Sequence, residues 1–170
     1  MTGSAAASSE LTGPLTEHQA SAWASYQRMR ARLSGRLGRE LMRETGLSEA
    51  DYEILTAVVD SPDGSLRSLA LRCGLEWEKS RLSHQLRRMT ERGLIVREEC
   101  PEDSRGFIVR ASEEGRAAAE AARLHHETAV RRYVTDVLSA EQLDLLASIA
   151  DTVLHEIDDD DPRESRRNDA

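Results

Sequence analysis

The fold of this chain is decided by residues 65–110, which read SLRSLALRCGLEWEKSRLSHQLRRMTERGLIVREECPEDSRGFIVR. The spacing of apolar residues in this stretch predicts a short helix, a Gly-containing turn, a longer helix and two short strands around a charged loop. Leu66, Leu69 and Ala70 are expected to face inward from the short helix. This order of elements is typical of a helix-turn-helix followed by a β-hairpin wing.

The longer helix is amphipathic. Leu82, Leu86 and Met89 fall at positions i, i+4 and i+7, on one face of a helix with about 3.6 residues per turn. The opposite face and its flanks are polar and basic. Between residues 79 and 97 the only acid is Glu91, although the whole chain has a net charge of −8. The basic residues of this segment are Lys79, Arg81, Arg87, Arg88, Arg92 and Arg97.

A basic helix face that also carries hydroxyl groups is suited to the major groove of DNA. Arg can donate two hydrogen bonds to one guanine, while Ser and His can reach bases or phosphates. The alternative is a solvated surface helix, which has the same amphipathic pattern. Local positive charge in an acidic chain favours DNA binding. The predicted DNA-binding residues of this helix are Lys79, Ser80, Arg81, Ser83, His84, Arg87 and Arg88.

Two β-rich segments follow this helix. Gly93 is expected to end the helix as its C′ residue, and segments 94–96 and 107–109 are predicted strands with turn residues between them. They would form a two-stranded wing. Asp103 and Arg105 near its tip are predicted to take part in DNA binding. Arg105 would enter the minor groove, and Asp103 would accept hydrogen bonds that direct the guanidinium.

Three short motifs mark this region: Gly93-Leu94-Ile95 after the helix, Asp103-x-Arg105 at the wing, and Ala111-Ser112-Glu113-Glu114-Gly115 after it. They resemble the motifs of the MarR family, the multiple-antibiotic-resistance regulators. In place of the third motif, members of that family often have Leu-Thr-x-x-Gly. The resemblance extends from about Thr16 to Ile157. One departure is the turn at residues 74–78, which is longer than the common family spacing. We expect Trp77 to pack under this turn.

The resemblance implies a fold and an assembly. The fold is mainly α with a small two-stranded β wing, a winged helix-turn-helix with N- and C-terminal dimerisation helices. The winged helix-turn-helix would occupy about residues 48–111, and the dimerisation helices about residues 16–45 and 112–157. The implied protein is a homodimeric transcriptional repressor that binds an inverted repeat in double-stranded DNA.

A small-molecule effector is also implied by the resemblance. It would bind where the dimerisation helices meet the DNA-binding lobe and would lower the affinity for DNA. Trp23, Tyr26 and Tyr52 are candidates for aromatic walls of that pocket, although aromatic residues at helical spacing are more often core. The sequence does not identify the effector or its ligand-binding residues.

Capping patterns mark the starts of the flanking helices. Thr16 with Gln19 and Ser139 with Gln142 have the spacing of capping boxes, and Ser112 is placed to cap a further helix. The last helix has an apolar stripe formed by Leu143, Leu146, Ile149, Ala150, Val153, Leu154 and Ile157. One small domain cannot cover the apolar surface of these helices, which is a second reason to expect a dimer.

The chain has 170 residues, a length that predicts a single domain, here residues 14–157. Residues 1–13 are predicted to be a disordered tail, because residues 1–12 are rich in Ala, Ser, Thr and Gly. They have neither the basic start nor the apolar run of a signal peptide. Residues 158–170 are predicted to be a disordered acidic tail. No segment approaches the roughly 20 apolar residues that span a bilayer. We therefore expect a cytoplasmic protein that does not enter membranes.

The two cysteines, Cys73 and Cys100, do not suggest a disulfide framework. Cys73 falls in the turn of the helix-turn-helix, where a small buried residue fits, and Cys100 precedes Pro101 in the wing. Structural thiols are favoured over a redox sensor, because a reactive thiol needs an activating environment.

No metal site, cofactor or enzymatic activity is predicted. His125 and His126 are adjacent and so point in different directions on a helix, although His18 from a second chain could complete a site. No nucleotide-binding loop or catalytic Ser-His-Asp arrangement is recognisable. Two alternatives remain open: a winged-helix adaptor that binds proteins, and a redox- or metal-responsive regulator. The adaptor would not need the basic helix face.

Overall fold

The computed structural model describes residues 13–99 and 106–160. The elements, in chain order, are α1 (Glu17–Thr45), α2 (Glu49–Val59), β1 (Ser65–Arg67), α3 (Ser68–Gly74), α4 (Lys79–Glu91), β2 (Ile95–Glu99), β3 (Phe107–Ala111), α5 (Glu113–Val130), a π-helical turn (Arg131–Thr135) and α6 (Ala140–Asp160). The predicted mainly α fold with a small β wing is confirmed.

Capping interactions fix the starts of the first two helices. The Thr16 Oγ1 atom accepts a hydrogen bond from the Gln19 backbone N–H at 3.3 Å, and Gln19 Oε1 accepts one from the Thr16 N–H at 2.9 Å. Helix α1 ends at Gly46, whose φ of 69° lies in the left-handed region that glycine adopts at low cost. Ser48 and Asp51 then form the same reciprocal cap on α2.

The sheet has three antiparallel strands in the order β1-β3-β2. Strands β2 and β3 pair as predicted for the wing, with Ile95 opposite Ala111. Strand β1 was not predicted, because residues 65–67 were assigned to the short helix. That assignment is wrong: Leu66 pairs with Val109 of β3. A three-residue strand has no periodicity of its own, and its hydrogen bonds depend on a strand more than 40 residues away.

The inward face of α3 differs from the prediction for the same reason. The helix begins only at Ser68, and Leu71 is its buried residue. Leu69 is 60% exposed and Ala70 is exposed, so neither packs into the core as predicted. Cys73 is also exposed, which corrects the expectation of a buried thiol in the turn.

The hydrophobic core lies between α2, α4, the sheet and α5. Leu82, Leu86 and Met89 of α4 are buried, as the helical spacing predicts, and Trp77 is buried beneath the turn. Each fully buried Leu, Ile, Val or Met side chain stabilises the fold by roughly 1.5–3 kcal/mol. The other large contributors are Leu47, Ile54, Leu55, Val58, Leu71, Ile95 and Val109.

The C-terminal helices extend the chain beyond this core. Helix α5 packs against α1 and α2, and its α-helical part ends at Val130. Tyr133, in the π-helical turn that follows, donates a hydrogen bond to Glu40 of α1 at 2.6 Å. Helix α6 starts with the predicted cap, in which Ser139 Oγ accepts from Gln142 N–H at 3.2 Å.

Helix α6 runs to Asp160, so residues 158–160 are helical and the predicted boundary at residue 157 is three residues too early. Most of both predicted disordered tails, residues 1–12 and 161–170, lies outside the described residues. From Ala140 to Asp159, no side chain of α6 is buried against its own chain. The predicted apolar stripe is therefore present but uncovered.

Candidate nucleic-acid interface

Helix α4 separates its apolar and polar residues as the sequence predicts. Its buried side chains are Leu82, Gln85, Leu86 and Met89. All seven residues predicted to bind DNA on this helix are exposed: Lys79, Ser80, Arg81, Ser83, His84, Arg87 and Arg88. The packing of one face on the core therefore leaves the basic face open to solvent.

A buried polar cluster that was not predicted from the sequence contacts α4 on its buried face and at its C-terminal end. Asp51 of α2 is 0% exposed. Its Oδ1 atom accepts a hydrogen bond from Gln85 Nε2 at 2.6 Å, and its Oδ2 atom accepts one from Arg92 Nη1 at 2.7 Å. Oδ2 also accepts from the Ser48 backbone N–H at 2.9 Å. Arg92, counted above as part of the basic segment, is thus a partner of Asp51.

Burial alone would raise the pKa of the Asp51 carboxyl, because it disfavours the charged form. Hydrogen bonds from Ser48 and Arg92, together with the positive charge of Arg92, outweigh that effect. The pKa of Asp51 therefore lies below its ordinary value. The carboxylate stays charged at neutral pH and can accept the hydrogen bonds from Gln85 and Arg92.

One sequence signal could have led to this cluster. Gln85 lies three residues after Leu82 and four before Met89, so it falls on the apolar stripe of the helix. A polar side chain at a buried position needs a hydrogen-bond partner. The pattern could not name Asp51 as that partner, because the two residues are 34 positions apart.

Arg97, the last basic residue of the segment, joins the wing to α4. Its Nη2 atom donates a hydrogen bond to the Ser83 carbonyl at 3.3 Å, and its guanidinium lies 4.9 Å from the centroid of the Phe107 ring. Burial, and secondly the nearby charge of Arg87, lower the pKa of Arg97. Arg92 and Arg97 therefore make contacts within the protein, which leaves four basic residues of the segment on the exposed face.

Two of these four have partners of their own. The Arg81 guanidinium carbon lies 3.8 Å from the centroid of the Trp77 ring, a cation–π arrangement. Arg87 Nε lies 3.9 Å from Glu91 Oε1, and both side chains are mostly exposed. A pair at that distance in solvent contributes little to stability. Arg87 is therefore free to exchange this partner for another anion.

The base of the wing is closed by Ser112. Its Oγ atom donates a hydrogen bond to the Gly93 carbonyl at 2.6 Å and accepts one from the Gly115 N–H at 2.9 Å. Its backbone N–H donates to the Leu94 carbonyl at 3.1 Å. The end of α4 and the start of α5 are thereby joined. Cys100, Asp103 and Arg105 lie outside the described residues, so their predicted roles are not tested.

The aromatic candidates for an effector pocket fall into two pairs. Trp23 and Tyr26, both exposed on α1, have ring centroids 5.4 Å apart. Tyr52 of α2 instead contacts His126 of α5, with ring centroids 5.1 Å apart. In residues 13–99 and 106–160, no ring contact joins one pair to the other.

An open cavity of about 500 Å³ lies beside the π-helical turn. Its lining residues are His126, Glu127, Val130, Arg131 and Thr135.

Among the described residues, no group of three or more His, Cys, Asp or Glu side chains could hold a metal ion. In the same part of the chain, no helix combines the length and the apolarity needed to cross a membrane.

Comparison with solved structures places this architecture among known proteins. The crystal structure of AbsC, a MarR family transcriptional regulator from Streptomyces coelicolor, has a TM-score of 0.80 and 31% identity over 86% of this chain and 98% of that chain. The chain belongs to the MarR family. The resemblance read from the wing and exit motifs is therefore confirmed.

Further relatives extend the comparison. Sco3205, a MarR family transcriptional regulator from the same organism solved in complex with DNA, has a TM-score of 0.80 and 32% identity over 85% of this chain and 91% of that chain. A mutant MarR from E. coli complexed with operator DNA has a TM-score of 0.65 and 20% identity over 75% and 92% of the two chains, which shows a shared fold.

A curated relative is more distant. YdgJ of Bacillus subtilis, an uncharacterized HTH-type transcriptional regulator, is 26% identical over 105 residues. That match covers 62% of this chain and 62% of YdgJ, less than two thirds of the relative's length. A search against protein-family models gave no match. The family assignment therefore rests on the solved MarR-family structures.

Proposed function

We propose that this MarR-family protein is a homodimeric, sequence-specific DNA-binding repressor of an inverted-repeat operator. The observation that carries the proposal is the exposed basic face of α4, which is backed by a fully packed apolar face. A helix with this division can enter the major groove while its other side stays in the core. The adaptor alternative gives no reason for this face to be basic.

Electrostatics supports the same assignment. The chain has a net charge of −8, so the protein as a whole is repelled by DNA phosphates. Lys79, Arg81, Arg87 and Arg88 concentrate positive charge on the exposed side of α4. Each phosphate that such a side chain neutralises releases condensed counterions and adds about −0.9 to the slope of log K against log salt. Binding should therefore depend on orientation and on salt.

The wing is proposed to bind the adjoining minor groove. Strands β2 and β3 pair in an antiparallel hairpin, and Arg97 joins β2 to the Ser83 carbonyl of α4. A hairpin held in this way would carry Arg105 and Asp103 toward the neighbouring groove. Narrow minor grooves have enhanced negative potential that favours Arg. Asp103 would direct the guanidinium of Arg105.

Dimerisation is proposed through the terminal helices. Ile149, Val153 and Leu154 of α6 are 54%, 53% and 54% exposed, and Trp23 and Tyr26 of α1 are also exposed. Exposed apolar side chains that recur along one face of a helix indicate an interaction site. A second copy would cover it on both chains by two-fold symmetry. Two α4 helices about 34 Å apart would then match half-sites one DNA turn apart.

Relatives support DNA as the partner, since Sco3205 and the E. coli MarR mutant were both crystallised with DNA. A small-molecule effector that relieves repression is proposed on the MarR-family resemblance. The open cavity of about 500 Å³ beside the π-helical turn is large enough for such a molecule. Its lining residues belong to α5 and the π-helical turn, the segment of the chain that connects the DNA-binding lobe to α6.

The test is a selection of duplexes from a random-sequence library with the full-length protein, followed by fluorescence-anisotropy titration. We expect enrichment of an inverted repeat and binding at least about 1,000-fold tighter than to a scrambled duplex of equal length. Absence of any enriched sequence would contradict the proposal and favour the adaptor. A repressor should also lower transcription from a reporter promoter that carries the selected site.

A further inference from the structure

We propose that Asp51 is a positioning residue for DNA recognition: it fixes the rotation and the axial position of α4 through Gln85 and Arg92. This inference rests on the proposed DNA binding by α4. None of the three residues lies among those predicted to contact DNA. Their part is to determine where the contacting side chains point.

Asp51 and Arg92 together link three helix ends. Asp51 caps α2 through the Ser48 backbone N–H. Arg92, at the C-terminal end of α4, donates to Asp51 Oδ2 at 2.7 Å through Nη1 and to the Gly46 carbonyl at 2.9 Å through Nη2. Gly46 is the cap of α1. The Asp51–Arg92 pair therefore connects the end of α1, the start of α2 and the end of α4.

The second contact on α4 restricts its rotation. Gln85 and Arg92 are about two helical turns apart, roughly 10 Å along the axis, yet both side chains converge on Asp51. A slide of α4 by one residue is about 1.5 Å and a rotation by one residue is about 100°. Either movement would break a hydrogen bond of 2.6 or 2.7 Å. The carboxylate therefore accepts only one placement of the helix.

Apolar packing does not impose this restriction by itself. Leu82, Leu86 and Met89 bury their surfaces in the core, but hydrophobic burial has no preferred direction. Asp51 is fully buried, so any shift that left its charge without a partner would be strongly unfavourable. Apolar packing alone would allow several orientations of α4, and the buried charge of Asp51 restricts the helix to one of them.

The competing role for Arg92 is a direct phosphate contact, because its side chain is 38% exposed. The two roles predict different salt dependence. Loss of a phosphate contact weakens binding to all duplexes alike and changes the salt slope by about 0.9. Loss of positioning weakens binding to the correct sequence and leaves the non-specific affinity and the slope unchanged.

The experiment compares Asp51→Asn and Arg92→Met with wild type in the full-length protein. Anisotropy titrations use the duplex selected by the wild type and a scrambled duplex of equal length, at several salt concentrations. We expect both variants to lose at least about tenfold affinity for the selected duplex, about 1.4 kcal/mol. Affinity for the scrambled duplex should change by less than about twofold, and the salt slope should stay that of the wild type.

Matched variants complete the design. Arg28→Ala also removes one positive charge, from an exposed side chain on the side of α1 opposite Trp23 and Tyr26, and should leave both affinities unchanged. Arg92→Lys should recover part of the loss, because an ammonium group can pair with Asp51 but cannot also span to the Gly46 carbonyl as the guanidinium does. If Asp51→Asn fails to fold, Gln85→Met removes only one hydrogen bond and should reduce discrimination in the same direction.

Three results would overturn the inference. One is equal weakening on both duplexes with a reduced salt slope in Arg92→Met, which would make Arg92 a phosphate contact. Another is unchanged discrimination in folded Asp51→Asn, Arg92→Met and Gln85→Met proteins. If Arg88→Ala nevertheless weakens binding to the selected duplex, DNA binding by α4 is supported and only the positioning role of Asp51 is contradicted. The third is wild-type protein that prefers no duplex, which removes the proposed function as well.

Discussion

Arg81 stacks on Trp77: its guanidinium carbon lies 3.8 Å from the centroid of the indole ring, which is itself buried beneath the helix-turn-helix turn. The turn between α3 and α4 is longer than the resemblance to the family leads us to expect, and Glu76 within it has a φ of 53°. Trp77 fills the space under this turn. The longer turn therefore also provides a platform that holds one side chain of the basic face.

Truncation of this platform should be costly for stability. Trp77→Ala should lower the free energy of unfolding by roughly 3–5 kcal/mol, because a large buried side chain leaves a cavity. Arg81→Ala should lower it by only about 0.5–1 kcal/mol, the contribution of an exposed cation–π contact. Urea denaturation measures both. A loss below about 1 kcal/mol for Trp77→Ala would show that the ring is not part of the core.

The basic face of α4 should account for DNA affinity. Arg87→Ala and Arg88→Ala are each expected to weaken binding to the selected duplex by about 1–3 kcal/mol if the side chain reads a base. A side chain that contacts phosphate should instead lower the salt slope by about 1. Anisotropy titration at several salt concentrations distinguishes these cases, with Arg28→Ala as the control. Unchanged affinity in both variants would exclude α4 as the recognition helix.

Gly115 should tolerate no side chain. A Cβ atom there would overlap the Leu94 carbonyl oxygen and lie 2.9 Å from the carbonyl carbon, so the backbone of the wing base or of α5 would have to move. We expect Gly115→Ala to lower the melting temperature strongly. The matched control is Gly74→Ala in α3, where a Cβ meets no atom within 4 Å. That change should be neutral or stabilising by up to about 1 kcal/mol.

Thermal unfolding of the two glycine variants measures the difference. Equal melting temperatures for Gly115→Ala and Gly74→Ala would mean that the close approach of α5 to Leu94 can relax without cost.

The assembly should depend on the apolar stripe of α6. Light scattering of the wild type should give twice the chain mass of 18.9 kDa at micromolar concentration. Ile149→Glu places a charge within the stripe and should shift the mass toward the monomer, because a buried unpaired charge is unfavourable. Ser148→Glu adds the same charge on the opposite face and should remain dimeric. A wild-type mass of 18.9 kDa would contradict the dimer.

The wing should add a contact separate from α4. Arg105→Ala is expected to weaken DNA binding strongly while melting temperature and mass stay unchanged, because its proposed contact is to the minor groove alone. Asp103→Ala should cause a smaller loss in the same direction, since it removes a group that directs the guanidinium. Anisotropy titration tests both. Tighter binding by Asp103→Ala would indicate simple repulsion between the acid and phosphate.

Local patterns were enough to predict most of the helical frame. Leu82, Leu86 and Met89 recur at helical spacing, a pattern that can be read from residues close together in the sequence. All three are buried in the structure. The capping roles of Thr16 and Gly93 also depend only on residues a few positions away. These features could be predicted because their physical causes are local.

Long-range pairing could not be predicted in the same way. Residues 65–67 become a strand only because β3 supplies hydrogen bonds, and that strand delays the start of α3 and brings Leu71 to the core in place of Leu69. The partnership of Asp51 with Arg92 likewise joins positions 41 apart. Arg92 belongs by sequence to the basic segment, and its charge alone does not reveal a buried partner.

The closure of the wing base by Ser112 allows the hairpin to vary in length. Its hydrogen bonds to the Gly93 and Leu94 carbonyls fix where both strands leave the helical frame. Insertions or deletions beyond Glu99 would change how far the hairpin extends, while the end of α4 and the start of α5 stay in place. If the wing binds the adjoining minor groove as proposed, a longer or shorter loop would change the preferred sequence beside the half-site and leave the bases read by α4 unchanged.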